Sequence, residues 1–121
     1  MYQLIVKTHF DAAHALKNYQ GPCENLHGHT YKVEVKIQGE NLDQSGLVYD
    51  FKELKQKLTQ VTEAVDHKNL NEIKPFDEIS ASTENLARYF FESLEKILPN
   101  EVALKEVTVF ESDDAVVSYR P

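Results

Sequence analysis

The sequence predicts an α+β domain, a four-stranded antiparallel sheet with two helices on one face. Three observations carry this expectation. Residues 31–38, YKVEVKIQ, alternate without a break between apolar and polar, the period of a strand with one buried face. Two later stretches, 51–65 and 82–98, space their apolar residues three or four apart, the period of amphipathic helices. The tail then returns to β-branched and aromatic residues in two short runs. The resulting order, β–β–α–α–β–β, suits antiparallel neighbours with the helices gathered on one side.

Each element has its own warrant. The opening run YQLIVKTHF (2–10) is rich in β-branched and aromatic residues and reads as a strand. In the second strand Tyr31, Val33, Val35 and Ile37 share one face, and Lys32, Glu34, Lys36 and Gln38 share the other. The stretch from Gly39 to Gly46 supplies turn residues. The first helix carries Phe51, Leu54, Leu58, Val61 and Val65 on its stripe, with Asp50 as N-cap and Glu53 placed for a capping box. The second runs from about Ser82 toward Leu98, with Leu86, Phe90, Leu94 and Ile97 on its stripe and Pro99 after its end. The last two strands, LKEVTVFE (104–111) and AVVSYR (115–120), flank the turn residues Ser112, Asp113 and Asp114.

Composition narrows the function classes. A chain of 121 residues, 41% hydrophobic and 27% charged, fits one globular domain spanning 1–121. No apolar run approaches the roughly 20 residues a bilayer span requires. The first residues lack a basic region and a small-residue cleavage site, so no signal peptide is expected. One cysteine cannot form an internal disulfide, and a free thiol suits a reducing compartment. A net charge of −7 disfavours nucleic acid or an anionic membrane as partner. The expectation is a soluble cytoplasmic protein.

The chemistry concentrates in CENLHGHT (23–30), which holds the single cysteine and two of the five histidines. If this segment is extended, His27 and His29 point to one side and can share a metal ion, with Gly28 leaving the opposite face uncrowded. His14, at the end of FDAAH, is the natural third ligand, because the turn between the first two strands brings it back. Three neutral histidines with one open position form a catalytic zinc arrangement. H-x-H also occurs in strands that hold no metal. Cys23 is open to two readings on chemistry alone. As a fourth ligand it would close a structural site; as a free thiolate beside a cation it would be a base or nucleophile. Asp66 and His67 offer a proton carrier and a carboxylate to orient it, although a helix C-terminus welcomes a histidine for its dipole alone. Glu111 shares strand parity with Val107 and Val109, so its carboxylate should be paired, should grip a polar ligand, or should lie exposed before the turn. His9 reads as a strand-surface residue.

Taken together, FDAAH (10–14), CENLHGH (23–29), LVYDFKELK (47–55), DHKNLN (66–71), STENLA (82–87) and FES (110–112) make the chain similar to the 6-pyruvoyltetrahydropterin synthase family over nearly its full length. The resemblance is closest to the bacterial branch that makes 6-carboxy-5,6,7,8-tetrahydropterin for queuosine precursors. Animal pyruvoyl-forming relatives carry a longer insert before H-G-H, whereas three residues, Glu24 to Leu26, separate Cys23 from His27 here. Two departures are visible: ALKNYQGP follows the first strand motif, and Ala81 stands where many relatives have proline.

The resemblance implies a tunnelling fold and a Zn2+ cofactor held by His14, His27 and His29. It implies Cys23 as a catalytic thiol that is not a ligand, with Asp66 and His67 completing the proton-transfer set. It places Glu111 on the guanidine-like edge of a pterin and Thr83 and Glu84 along the pterin pocket. The implied substrate is 7,8-dihydroneopterin triphosphate. The implied assembly is a homo-oligomer, a hexamer built as a dimer of trimers with active sites at subunit interfaces. The alternatives are a pyruvoyl-forming synthase on the same substrate and a non-catalytic zinc-stabilised pterin-binding module. An acidic chain with a triphosphate substrate needs a local cation, for which Lys7, Lys17, Lys32, Lys68 and Arg120 are candidates.

Overall fold

The computed structural model describes residues 1–17, 19–21 and 25–121. Along the chain run β1 (Tyr2–His14), β2 (His27–Gly39), α1 (Phe51–Glu63), β3 (Lys68–Asn69), a 3₁₀ turn (Leu70–Glu72), α2 (Thr83–Ile97), β4 (Ala103–Phe110) and β5 (Val116–Tyr119). The strands form one sheet in the order β3-β1-β2-β4-β5. Four strands are antiparallel, as the sequence predicts. The fifth, β3, is an addition: two residues pair in parallel with Ala12 and Ala13 of β1, so the sheet is mixed. Two residues are too few for a periodicity to announce.

The alternation in β2 does what its period requires. Tyr31, Val33, Val35 and Ile37 have no solvent exposure, while Lys32 stands in solvent and Glu34, Lys36 and Gln38 are half-buried. Both helices lie on the apolar face, where Leu54, Leu58, Leu86 and Phe90 pack with Val107 and Val109 of β4. Phe10 is the centrepiece, its ring 4.9 Å from Tyr31 and 5.5 Å from Phe90, centroid to centroid. Ser82 caps α2 by accepting from Asn85 N–H, and Asp50 caps α1 by accepting from Lys52 N–H.

Several boundaries differ from the sequence expectation. The first strand continues past Phe10 to His14, and the second begins at His27. The hairpin therefore carries both histidine motifs in one ladder, with His14 directly opposite His27 and Ala12 opposite His29. Phe51, on the apolar stripe that the sequence predicts for the first helix, is half exposed, because it sits at the first helical position, outside the packed turns. Strand β4 stops at Phe110, and Glu111 turns away with its N–H donating to Ala115 O.

Candidate active site

Strand parity puts His14, His27 and His29 on the same, helix-covered side of the β1–β2 hairpin as Phe10 and Tyr31. His14 is buried; His27 and His29 are half-buried. The one ligating nitrogen that each ring offers lies within 4.8 Å of the other two.

The hydrogen bonds at the back of the cluster decide what faces inward. A carbonyl oxygen only accepts, so His14 Nδ1 donates to Ala81 O at 2.6 Å and His27 Nδ1 donates to Asn25 O at 2.7 Å. Each neutral ring is then left with a bare lone pair on Nε2. Those two Nε2 atoms face each other at 3.1 Å, which is repulsive unless a proton or a cation lies between them. The third ring adds a buried Nε2, on His29, with no hydrogen-bond partner among the described residues. An orphaned buried acceptor beside two opposed lone pairs is the donor set a zinc ion wants. Burial pushes the His29 imidazole below its ordinary pKa, which keeps it neutral and able to ligate; the Glu111 carboxylate works the other way. The cluster fits a metal.

Other groups close around it. The Tyr31 hydroxyl lies 3.2 Å from His14 Nδ1, and burial followed by the Glu111 charge raises its pKa well above the ordinary phenol range. Glu111 brings Oε2 to 3.8 Å from His14 Nε2 and Oε1 to 3.9 Å from His29 Nε2. Its carboxylate also accepts from the Thr83 hydroxyl at 2.9 Å. Glu111, Thr83 and Glu84 line an open pocket of about 450 Å³ with Leu16 and Val117. That volume is ordinary for a small-molecule site.

Asp66 and His67 lie elsewhere. They follow α1, four residues beyond its last turn for His67, so the helix dipole does not explain the histidine. His67 adopts φ 58°, uncommon for a residue with a side chain, and its N–H donates to Asp11 O at 2.6 Å. Its Nδ1 donates to Asp66 Oδ1 at 2.9 Å. The Asp11 backbone N–H, donating to Asp66 at 3.0 Å, is the main cause that holds the Asp66 carboxyl below the usual carboxylate range; His67 assists and slight burial opposes.

Asp11 and His14 are three apart in one strand, so their side chains leave opposite faces of the sheet. The carboxylate–histidine pair gathers on the Asp11 face and the three histidines on the other. One chain assembles both clusters but does not stack them. An open cleft of about 560 Å³ is edged by Asp11, Thr30, His67 and Lys68 of the pair's side and also by Gly28 and His29 of the hairpin. Of the five candidate cations, Lys7 pairs with Glu34, Lys32 with Asp113 and Arg120 with Glu106, while Lys17 donates to Asp77 O. Lys68 is the one that borders this cleft. Cys23 lies outside the described residues.

Sequence reasoning missed Asp11, Thr30 and Tyr31. The signal was present in β-strand parity: Tyr31 continues the His27, His29 row, and Asp11 opposes Thr30 on the other face.

The fold and the site together define a class: a mixed α+β sheet whose central hairpin carries a three-histidine centre suited to a metal. Comparison with known proteins makes this specific. The model for the family described as 6-pyruvoyl tetrahydropterin synthase matches residues 3–121. A Pyrococcus furiosus dihydroneopterin monophosphate aldolase is 38% identical over 112 residues, covering 93% of this chain and 91% of its own length. An Archaeoglobus fulgidus protein provisionally named 6-carboxy-5,6,7,8-tetrahydropterin synthase is 37% identical over 109 residues, 90% of this chain and 87% of its own. The solved structure of Caenorhabditis elegans 6-pyruvoyl tetrahydropterin synthase superposes with a TM-score of 0.91 at 32% identity, covering 99% of this chain and 95% of that one. The chain belongs to the 6-pyruvoyl tetrahydropterin synthase family, and its two helices on a mixed sheet match that family's structures.

Proposed function

We propose that this protein is a zinc-dependent 6-carboxy-5,6,7,8-tetrahydropterin synthase, one domain over residues 1–121, acting in the cytoplasm on 7,8-dihydroneopterin triphosphate and water. The products are 6-carboxytetrahydropterin, acetaldehyde and triphosphate. The observation that carries the reading is the pair of opposed Nε2 lone pairs on His14 and His27, next to a pocket edged by Glu111. The three-residue spacing between Cys23 and His27 favours the carboxy-forming outcome.

Zinc held by His14, His27 and His29 would supply Lewis acidity to the hydroxyls of the substrate side chain. Cys23, as thiolate, takes a proton from the side-chain carbon next to the ring. His67, with Nδ1–H committed to Asp66, has its Nε2 free to exchange a proton with substrate. Glu111 grips the guanidine-like edge of the pterin with Thr83 fixing its carboxylate, and Glu84 edges the same pocket. Lys68, bordering the cleft beside His67, is placed to meet phosphate charge.

Because the two clusters leave opposite faces of the hairpin, a site shared between chains, one lending its histidine face and another its Asp66–His67 face, brings both to one substrate. This supports a homo-oligomer, a hexamer as a dimer of trimers, with sites between subunits. The outer edge of β1 supports it too, since among the described residues β3 pairs with Ala12 and Ala13 alone, and Tyr2 and Ile5 are exposed farther along that edge. Among the described residues no helix is long and apolar enough to cross a membrane.

Incubating the zinc-loaded protein with dihydroneopterin triphosphate and identifying products by mass spectrometry tests the reading. Carboxytetrahydropterin with acetaldehyde is expected. A pyruvoyl product would give the synthase alternative. A second reading, cleavage of dihydroneopterin monophosphate, is favoured by the likeness to the P. furiosus aldolase. Turnover of the monophosphate without turnover of the triphosphate would establish it.

A further inference from the structure

The Asp66–His67 pair does not stand alone on its face. Asp11, opposite Thr30 in the β1–β2 ladder, accepts from the Thr30 hydroxyl at 2.5 Å through Oδ1. Its other oxygen, Oδ2, lies 4.0 Å from His67 Nε2. The His67 ring is therefore bracketed: Asp66 holds Nδ1 from one side and Asp11 waits on the other. Asp11 is tied to the pair twice more through its backbone, its C=O accepting from His67 N–H and its N–H donating to Asp66. Two of the four contacts would survive a change of side chain; the carboxylate is the part that faces the ring.

We propose that Asp11 is a positioning residue of the proton-transfer pair, its Thr30-anchored carboxylate accepting from His67 Nε2–H while the protonated ring waits between exchanges with substrate. A separation of 4.0 Å is too long for a hydrogen bond in the resting arrangement. A small rotation closes it, and the ring has room because its side chain is 77% exposed. Asp66 alone fixes one ring nitrogen and leaves the ring free to pivot about that contact. A second acceptor across the ring limits the pivot, so Nε2 is presented in one direction and the charged ring is held there. The other charged neighbour along the chain, Lys68, offers no acceptor. The strained φ of His67 fits a residue whose position is over-determined by its surroundings.

This inference rests on the proton-transfer role given to His67 above, and the test separates the two. Asp11→Asn keeps an oxygen for Thr30 but turns an NH2 toward His67, replacing an acceptor with a donor. In the full-length zinc-loaded protein, kcat should fall about 10-fold with KM within about twofold. Zinc content and melting temperature should stay at the wild-type values, and Asp11→Glu should recover part of the loss. Independently of turnover, ¹⁵N NMR at a pH where the ring carries both protons should show the His67 Nε2–H signal moved by Asp11→Asn and the Nδ1–H signal unmoved. An unchanged Nε2–H signal, or a kcat loss that arrives only with lost zinc or lost stability, overturns the proposal. Wild-type protein that turns over no pterin triphosphate overturns the proposed function instead, and the NMR result then decides the Asp11 contact by itself.

Discussion

The two faces of the β1–β2 hairpin solve the same problem, holding imidazoles in fixed orientation, by opposite means. On the covered face the histidines are aimed by main-chain carbonyls and packed aromatic rings, and the ladder sets their spacing residue by residue. On the open face His67 is aimed by carboxylates and by a two-residue strand that clips its loop to β1. Neutral acceptors behind a histidine leave its inward nitrogen basic and suit a metal ligand. Carboxylates on both sides of a histidine suit a group that gains and loses a proton. Either kind of partner can back a metal-bound histidine, so what separates the two clusters is that three imidazoles converge on the covered face and a single one stands between carboxylates on the open face.

The sharpest break in that comparison comes from the covered face. His27→Ala should drop bound zinc well below one per chain by atomic emission and remove turnover with it, while His9→Ala, on the sheet surface, should change neither. Full zinc retention in His27→Ala would sink the metal assignment. Next in size is Cys23→Ala. If the thiol is the base, the variant keeps its zinc and its melting temperature while triphosphate release falls by at least about 10². A variant that sheds zinc and unfolds would instead make Cys23 a fourth ligand of a closed site.

Between the faces lies the sheet core. Phe10→Ala removes the ring stacked between Tyr31 and Phe90 and should cost about 3–5 kcal/mol of stability by chemical denaturation. Because Tyr31 also backs His14, zinc affinity should weaken in parallel.

The smallest effect belongs to the open face. A carboxylate whose pKa is depressed by folding contributes stability above its unfolded value and loses it as pH falls through the folded one. The Asp66 carboxyl is held below its ordinary value of 3.8, so wild-type melting temperature should decline relative to Asp66→Asn as pH drops below that value. The difference between the two should be flat from there to neutrality. A difference that instead grows between pH 5 and 7 would contradict the assignment.

Much of this was legible in the sequence, for a physical reason that also explains what was not. The period of YKVEVKIQ and the two helical stripes report burial, and burial is what the sheet and helices share. The histidine triad was legible because H-x-H on a strand fixes a common side. Strand β3, Asp11 and the separation of the two clusters were not read. The first is too short for a period, and the others depend on the ladder that places Asp11 against Thr30 and the loop after α1 against β1.

The measurement that bears most directly on the two-face account mixes chains. His27→Ala lacks a working covered face and His67→Ala lacks a working open face, so each alone should be inactive on dihydroneopterin triphosphate. Co-refolded in equal amounts with zinc, they should regain about a quarter of wild-type activity, because random assembly pairs an intact covered face with an intact open face at about that frequency. Mixed oligomers that form, as native mass spectrometry would show, yet remain inactive would mean that each chain completes its own site and that the two faces do not work together.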